Sequence, residues 1–225
     1  MIELILPGHV ASGYLLPGTG PDPLLADEQS LVGGAVQKRI DEVTRGRHCA
    51  RRALAELFPR LPAHATADWR TMAIPRGDRR EPLWPAGIVG SITHCAVYAA
   101  AAVASASECR SLGIDAEPEK PLPEGVIRKI ASEEEQRALS ALPPEVPWGR
   151  VLFSAKEAIY KAWFPVMRRW LDFHDVVLEF EPDSNRFRTC FRDTVPRPDE
   201  PYEGRFLIRD GVIVTAVCLP PCQEP

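Results

Sequence analysis

Phe153-Ser154-Ala155-Lys156-Glu157-Ala158-Ile159-Tyr160-Lys161-Ala162 is the stretch on which the fold of this chain turns. Leu152, Ala155, Ile159 and Ala162 form an apolar stripe at helical spacing, and Ser154, Glu157 and Lys161 follow i, i+3, i+7 on the face beside it. A second acid-bearing stretch, Gly113-Ile114-Asp115-Ala116-Glu117, reads as an apolar strand ending in two carboxylates with one spacer. Asp115 and Glu117 therefore project from the same face and can reach one cation. Glu157 adds a third carboxylate with an ammonium attached. Hard oxygen ligands without a Cys or His cage suit magnesium, which keeps several waters and is usually shared between carboxylates and a substrate phosphate. The residue types point to phosphoryl transfer.

Working outward, Val36 to Leu57 carries a helical stripe of Val36, Ile40, Val43, Ala50, Leu54 and Leu57, with Arg47 standing where a core residue is expected. A partly buried arginine wants an anion. Extended segments are expected around Gly87 to Thr93, Cys95 to Ala104 and Arg110 to Glu117, the middle one apolar enough to be central in a sheet. Ser132-Glu133-Glu134-Glu135 reads as a capping box opening a short helix, and Trp148 to Phe164 as a longer helix stopped near Pro165. Strands follow at Asp175 to Glu181, Arg186 to Arg192, Arg205 to Ile208 and Val212 to Leu219, the last two joined by an Asp210-Gly211 hairpin turn. Helix and antiparallel strands, twice over, predict an α+β fold of two pseudo-symmetric lobes, each a helix packed on a small antiparallel sheet. The chain reads as a single unit over 1–225, with lobe 1 about 1–118, lobe 2 about 119–225 and the active site at their junction, where ligands usually bind.

Composition bounds the alternatives. The 225 residues are 45% hydrophobic and 26% charged, an ordinary globular balance. With 27 Lys and Arg against 31 Asp and Glu, the net charge of −4 argues against a nucleic-acid backbone as the main partner, so any basic site must be local. The amino terminus lacks the positive segment of a signal peptide, and the longest apolar run, Cys95 to Ala104, is about half the ~20 residues of a membrane span. The six cysteines show no paired C-x-x-C spacing and read as free thiols in a reducing cytoplasm.

Each motif also has a plain structural reading. An Asp-x-Glu after a strand is most often a solvated strand end, and a Lys-Glu-x-x-x-Lys helix face most often carries surface ion pairs. Gly90-Ser91-Ile92-Thr93-His94-Cys95 can bind phosphate oxygens through its hydroxyls and imidazole, or can simply begin a strand. Lys38, Arg39, Arg45, Arg47, Arg51 and Arg52 form one basic cluster, and Arg76, Arg79 and Arg80 a second, in a loop. Trp163, Phe164 and Trp170 read as core or as caps over the lobe junction.

Taken in order, Arg47-His48-Cys49-Ala50-Arg51, Glu81-Pro82-Leu83-Trp84-Pro85, Gly90 to Cys95, Gly113 to Glu117 and Phe153 to Ala162 resemble the 4′-phosphopantetheinyl transferases, over roughly residues 35 to 180. The likeness is to the larger, monomeric, two-lobed type, actinobacterial members especially, that activates polyketide, nonribosomal-peptide and siderophore synthases. The resemblance implies transfer of the phosphopantetheine arm of coenzyme A to a serine of an apo acyl or peptidyl carrier protein, releasing 3′,5′-ADP with magnesium as cofactor. It implies Asp115, Glu117 and Glu157 as metal ligands, Glu157 and Lys161 as catalytic residues, and Lys156 and Lys161 on the pyrophosphate. Arg39, Arg47, Arg76, Ser91 and His94 would grip the nucleotide phosphates. Ala116 supplies no third carboxylate on its strand, Arg80 stands where relatives often carry Gly, and nothing specific matches from Arg186 onward. A magnesium-dependent hydrolase of pyrophosphate substrates and a non-catalytic carrier or coenzyme A binder are the competing classes.

Overall fold

The computed structural model describes residues 1–16, 18–196 and 201–221. Its elements run β1 (Ala11–Leu15), α1 (Gln37–Leu57), β2 (Ile88–His94), β3 (Ala99–Ser105), β4 (Ser111–Pro118), α2 (Ile127–Ile130), α3 (Glu133–Ser140), α4 (Trp148–Met167), β5 (Val176–Glu181), β6 (Arg186–Phe191), β7 (Glu203–Arg209) and β8 (Val212–Leu219). The strands form two antiparallel sheets, β1-β3-β2 under α1 and β4-β8-β7-β6-β5 under α4. No described helix is long and apolar enough to cross a membrane. Five described cysteines are free thiols, whereas Cys222 and positions 197–200 lie outside the described residues.

β3 is the alanine-rich segment, and it is buried on both faces. By the two-residue period of a strand, Ala99, Ala101 and Val103 pack on α1 with Leu54, Leu57 and Phe58. Ala100, Ala102 and Ala104 face the other way, into a core shared with Leu112, Ile114 and Ala116 of β4 and with Val212, Val214 and Ala216 of β8. A third core lies between α4 and the larger sheet. The two sheets thus have helices on their outer sides and alanine-thin apolar packing between them.

β4 departs from expectation. Read as the last strand of lobe 1, it is hydrogen-bonded along its length to β8, from Ser111 opposite Leu219 to Pro118 opposite Val212. The hydrogen-bonded boundary between the sheets therefore falls before Ser111 rather than after Pro118. β4 is the edge of the second sheet and lies beside β2, the edge of the first. The Ile114 N–H on that free edge donates to the Ser91 hydroxyl at 3.1 Å, so a side chain stands in for a ladder partner. The segment at 95–98 is a turn, not strand, and β1 was not foreseen in the sequence.

Other local readings stand. Ser132 and Glu135 close a reciprocal capping box at α3. Asp210 and Gly211 both have positive φ, 53° and 77°, as a two-residue hairpin turn requires. α4 runs past Pro165 to Met167, because a proline near the end of a helix forfeits only the bond to the carbonyl four residues back. The turn closes with Arg168 N–H on the Phe164 carbonyl at 2.9 Å and Arg168 in the left-handed region.

Both long helices lie on a glycine. A methyl on Gly113 would stand 1.9 Å from the Ala158 carbonyl oxygen and 2.7 Å from the Ala162 nitrogen, and one on Gly13 would stand 2.4 Å from the Cys49 carbonyl. Backbone atoms cannot rotate out of the way as side chains can. Gly113→Ala is expected to lower the unfolding free energy by about 3 kcal/mol, the upper range for forcing a methyl into a packed core. Urea unfolding of the variant checks this, and an unchanged midpoint would show that α4 does not depend on the close approach.

Candidate active site

The junction of β2, β4, α1 and α4 holds a cleft of about 580 Å³. Among the described residues, seven Arg and Lys side chains line it against three glutamates, in a chain whose net charge is −4. Such a local reversal of sign suits a polyanionic ligand. α1 contributes Arg39 and Arg47, the 79–84 loop adds Arg79 and Arg80, and α4 contributes Glu157, Tyr160, Lys161 and Phe164 from one face.

Lys161 reaches from α4 down to β4 beneath it, where its ammonium donates to Asp115 Oδ1 at 2.7 Å and to the Ile114 carbonyl at 3.0 Å. The Thr93 hydroxyl of β2 donates to the same Oδ1 at 3.2 Å. Asp115 Oδ2 is buried without a hydrogen-bond partner. Half-buried Glu157 lies close by, and burial holds its carboxyl above the ordinary value, with the Asp115 and Glu117 carboxylates reinforcing the rise and Lys161 opposing it. Glu117 is engaged by Arg150, whose Nη1 lies 2.8 Å from Oε2 and whose other nitrogens donate to the Lys120 and Pro121 carbonyls. Arg150 precedes Glu157 by seven residues on the same helical face, a spacing that could have flagged it.

An orphaned, buried Asp115 oxygen beside two carboxyls, Glu117 and Glu157, that burial and then the neighbouring acids hold above their ordinary range fits a hard cation, so the donor set suits magnesium. Among the described residues, no three Asp, Glu, His or Cys side chains already gather as a metal cluster, because Lys161 and Arg150 occupy two of the acids.

Arg47 is 8% exposed, and its Nε donates to the Ile74 carbonyl at 2.8 Å. Burial, with Arg39, Arg51 and Arg76 adding to it and Glu28 opposing it, lowers its pKa to about 10. His94 lies in the cleft and is also shifted down by burial. Arg39 pairs with Glu42 at 3.3 Å. Ser91 lines the cleft while its oxygen accepts from Ile114.

Three expectations need correction. Lys156 does not face the cleft: it is 2% exposed and its ammonium bonds the Ile130 and Phe173 carbonyls at 2.8 and 2.7 Å and the Glu135 carboxylate at 2.8 Å. One residue along a helix is a turn of about 100°, which takes Lys156 from the cleft into the lobe core. Arg76 forms a β-bridge with Pro82 at the base of its loop, and it is Arg79 and Arg80 that line the cleft. Ser154 is buried against Thr215 of β8 instead of sharing the cleft face with Glu157. Trp163 is core, Phe164 lines the cleft, and Trp170 is 69% exposed against Tyr160.

Glu28 was missed. It is fully buried, in a 3-10 segment at Ala26–Val32, and accepts from Arg51 at 2.8 Å, from the Leu25 N–H at 3.0 Å and from the Ile74 N–H at 3.0 Å. It therefore grips one side of the residue whose carbonyl holds Arg47. Glu135 does the same in the other lobe, accepting from Lys156, from the Ser132 N–H and from the Leu178 N–H. A buried carboxylate with a helix-borne cation and two backbone donors recurs in each half.

Two family models cover most of the chain. One described as "4'-phosphopantetheinyl transferase N-terminal domain" matches residues 27–104, and one described as "4'-phosphopantetheinyl transferase superfamily" matches residues 111–215. Curated relatives include the 4'-phosphopantetheinyl transferases Npt of Nocardia iowensis, 41% identical over 96% of this chain and 99% of its own, and Svp of Streptomyces mobaraensis, 38% identical over 97% and 89%. PptT of Mycobacterium tuberculosis is 39% identical over 90% of this chain and 88% of its own.

The buried Lys156 pair makes a separable prediction. Lys156→Ala strands Glu135 without its cation, a change of about 3–5 kcal/mol in a buried ion pair. The variant is expected to unfold at much lower denaturant yet bind coenzyme A normally per folded molecule. A stable variant with weakened binding would return Lys156 to the cleft.

Proposed function

Because the chain belongs to the 4′-phosphopantetheinyl transferase superfamily, we propose that it transfers the phosphopantetheine arm of coenzyme A to a serine of an apo acyl or peptidyl carrier protein in a magnesium-dependent reaction. The observation that carries the residue-level reading is that Glu157 and Lys161 line one cationic cleft together, with Lys161 paired to the buried Asp115 behind it. Asp115 and Glu157 would hold the magnesium, with Glu117 beside them, and the ion would draw charge from the coenzyme's pyrophosphate.

Arg39, Arg47 and His94, with Arg79 and Arg80, bind the nucleotide phosphates. Arg47 acts from a fixed direction, since its Nε is committed to Ile74. Glu157 accepts the proton of the carrier serine, and its raised pKa makes it a better base than a surface carboxylate. The serine oxygen then attacks the phosphorus next to the pantetheine arm. The phosphorus–oxygen bond to the departing 3′,5′-ADP breaks with its electron pair going to that oxygen. Lys161, held by Asp115 and the Ile114 carbonyl, neutralises the charge that gathers there. The same reading has the enzyme act as a monomer in the cytoplasm, beside the carriers it would serve.

Intact-mass measurement of apo carriers incubated with the protein, coenzyme A and magnesium is the direct test, and the expected product is a carrier heavier by one phosphopantetheine with 3′,5′-ADP released. Release of 3′,5′-ADP without a carrier would indicate a hydrolase, and no consumption of coenzyme A a binder. Glu157→Gln should reduce turnover by about 10² to 10³ with the fold intact, the scale of one preorganised electrostatic group. Near-normal turnover in saturating magnesium would remove Glu157 from the mechanism.

Arg47→Ala should raise the requirement for coenzyme A more than it slows saturated turnover, because a grip remote from the reacting phosphorus contributes mostly uniform binding. Comparing coenzyme A with dephospho-coenzyme A locates the contact. If wild type and variant discriminate between the two equally, Arg47 does not hold the 3′-phosphate.

A further inference from the structure

Outside the cleft lining, which reaches Arg110 and Ser111, two thiols meet at the Ser111–Leu219 end of the β4–β8 ladder. Cys109 Sγ and Cys218 Sγ lie 3.0 Å apart, although the residues are separated by 109 positions in sequence. His9 Nε2 stands 3.8 Å from Cys218 Sγ on its other side. Cys109 is fully buried, and its thiol is also within reach of the Ser111 carbonyl at 3.1 Å. Cys218 is half-buried and opens onto a second cavity of about 220 Å³, whose lining includes Arg186, Glu203 and Arg205.

We propose that Cys218 and Cys109 form a peroxide-oxidisable dithiol, in which Cys218 is attacked first and Cys109 resolves it to a disulfide. Neither residue belongs to the transfer machinery. The division of labour follows from placement. Cys218 has the route to solvent and an imidazole beside it, whereas Cys109 is sealed in the core with its sulfur on its partner. The hydrogen bond shared with Cys109, opposed by burial and helped by His9, holds the Cys218 thiol below its ordinary range, the direction that favours the nucleophilic thiolate. Burial pushes Cys49 up to about 12 and raises Cys95 as well, so neither competes as a nucleophile.

The chemistry balances with a hydroperoxide as oxidant. The Cys218 thiolate attacks the terminal peroxide oxygen, the O–O bond breaks, and the departing hydroxide or alkoxide takes a proton, leaving Cys218 as a sulfenic acid. Cys109 sulfur then attacks the Cys218 sulfur, the S–O bond breaks, and hydroxide leaves as water with the Cys109 proton. Two thiols and one peroxide become one disulfide and, for hydrogen peroxide, two waters. The sulfurs must approach to the ~2.05 Å of a disulfide, a move that side-chain rotation can supply from their present contact. A dithiol reductant reverses the step by thiol–disulfide exchange.

The test uses the full chain carrying Cys222→Ser, because Cys222 shares a tryptic peptide with Cys218, and fragment-ion sequencing of the linked peptides tells Cys109 from Cys95, which share the tryptic peptide 81–110. Treated with equimolar hydrogen peroxide, it should lose the mass of two hydrogens and yield a peptide pair joining Cys109 to Cys218. Dithiothreitol should restore both thiols to alkylation. With Cys109→Ser added, the same treatment should add oxygen to Cys218, trapped by dimedone, instead of forming the link. If that variant does not fold, the peptide map of the parent still decides. Cys218 and Cys109 both remaining fully alkylatable after peroxide, or a link joining other cysteines, would overturn the proposal.

Discussion

Two sheet edges that touch without sharing a backbone ladder set the terms for everything else in this molecule. β2 and β4 lie side by side, yet each is paired only on its other flank, β2 with β3 and β4 with β8. An unpaired N–H at such a seam is costly when buried, and the Ser91 hydroxyl satisfies the one at Ile114. The next pair along, Thr93 and Asp115, turns the seam into a polar floor. α1 and α4 form the walls of the cleft, and each stays close to its sheet because a glycine on the strand beneath leaves room.

Buried charge is placed with the same economy in both lobes. Glu28 with Arg51 and Glu135 with Lys156 each hold a short segment against a long helix, and each carboxylate takes backbone donors that would otherwise be stranded. Isolated buried ion pairs add little net stability over an apolar core. Their value here is directional: through Ile74, the Glu28 grip fixes the orientation of Arg47. The cleft charges, by contrast, are left partly compensated. Asp115 keeps one oxygen without a partner, and Glu157 is held high by burial, with its acidic neighbours adding to the rise. That incompleteness is what a ligand-binding site requires and a structural network cannot tolerate.

What the sequence reveals and what it hides divide along range. Features set within a turn or two of chain were legible: the Ser132 box, the Asp210-Gly211 turn, the core stripe of α4 and the placing of Glu157 and Lys161 on one face. The shared strand face of Asp115 and Glu117 was legible because strand alternation needs only near neighbours. Lys156 was misread because charge beside charge looks like one cluster, although adjacent helical residues face different ways. The pairing of β4 with β8 has no local sign, since a strand of Ser-Leu-Gly-Ile-Asp-Ala-Glu-Pro suits either sheet. Glu28 sat in a segment with no regular periodicity, where a buried carboxylate looks like any surface acid.

The distance in sequence between β4 and β8 bears on how the protein is made. Synthesis runs from the amino end, and the strand bearing Asp115 leaves the ribosome ~100 residues before the strand that pairs with it, a long loop to close. Until β8 emerges, β4 has only the seam with β2 to rest on, and Lys161 has no fixed partner to reach. A nascent chain can therefore complete the first sheet and α1 early, but the cleft floor is assembled among the last events of biogenesis. Truncated products of interrupted translation would carry the arginines of α1 without the acids in position, and so could hold a phosphate without acting on it.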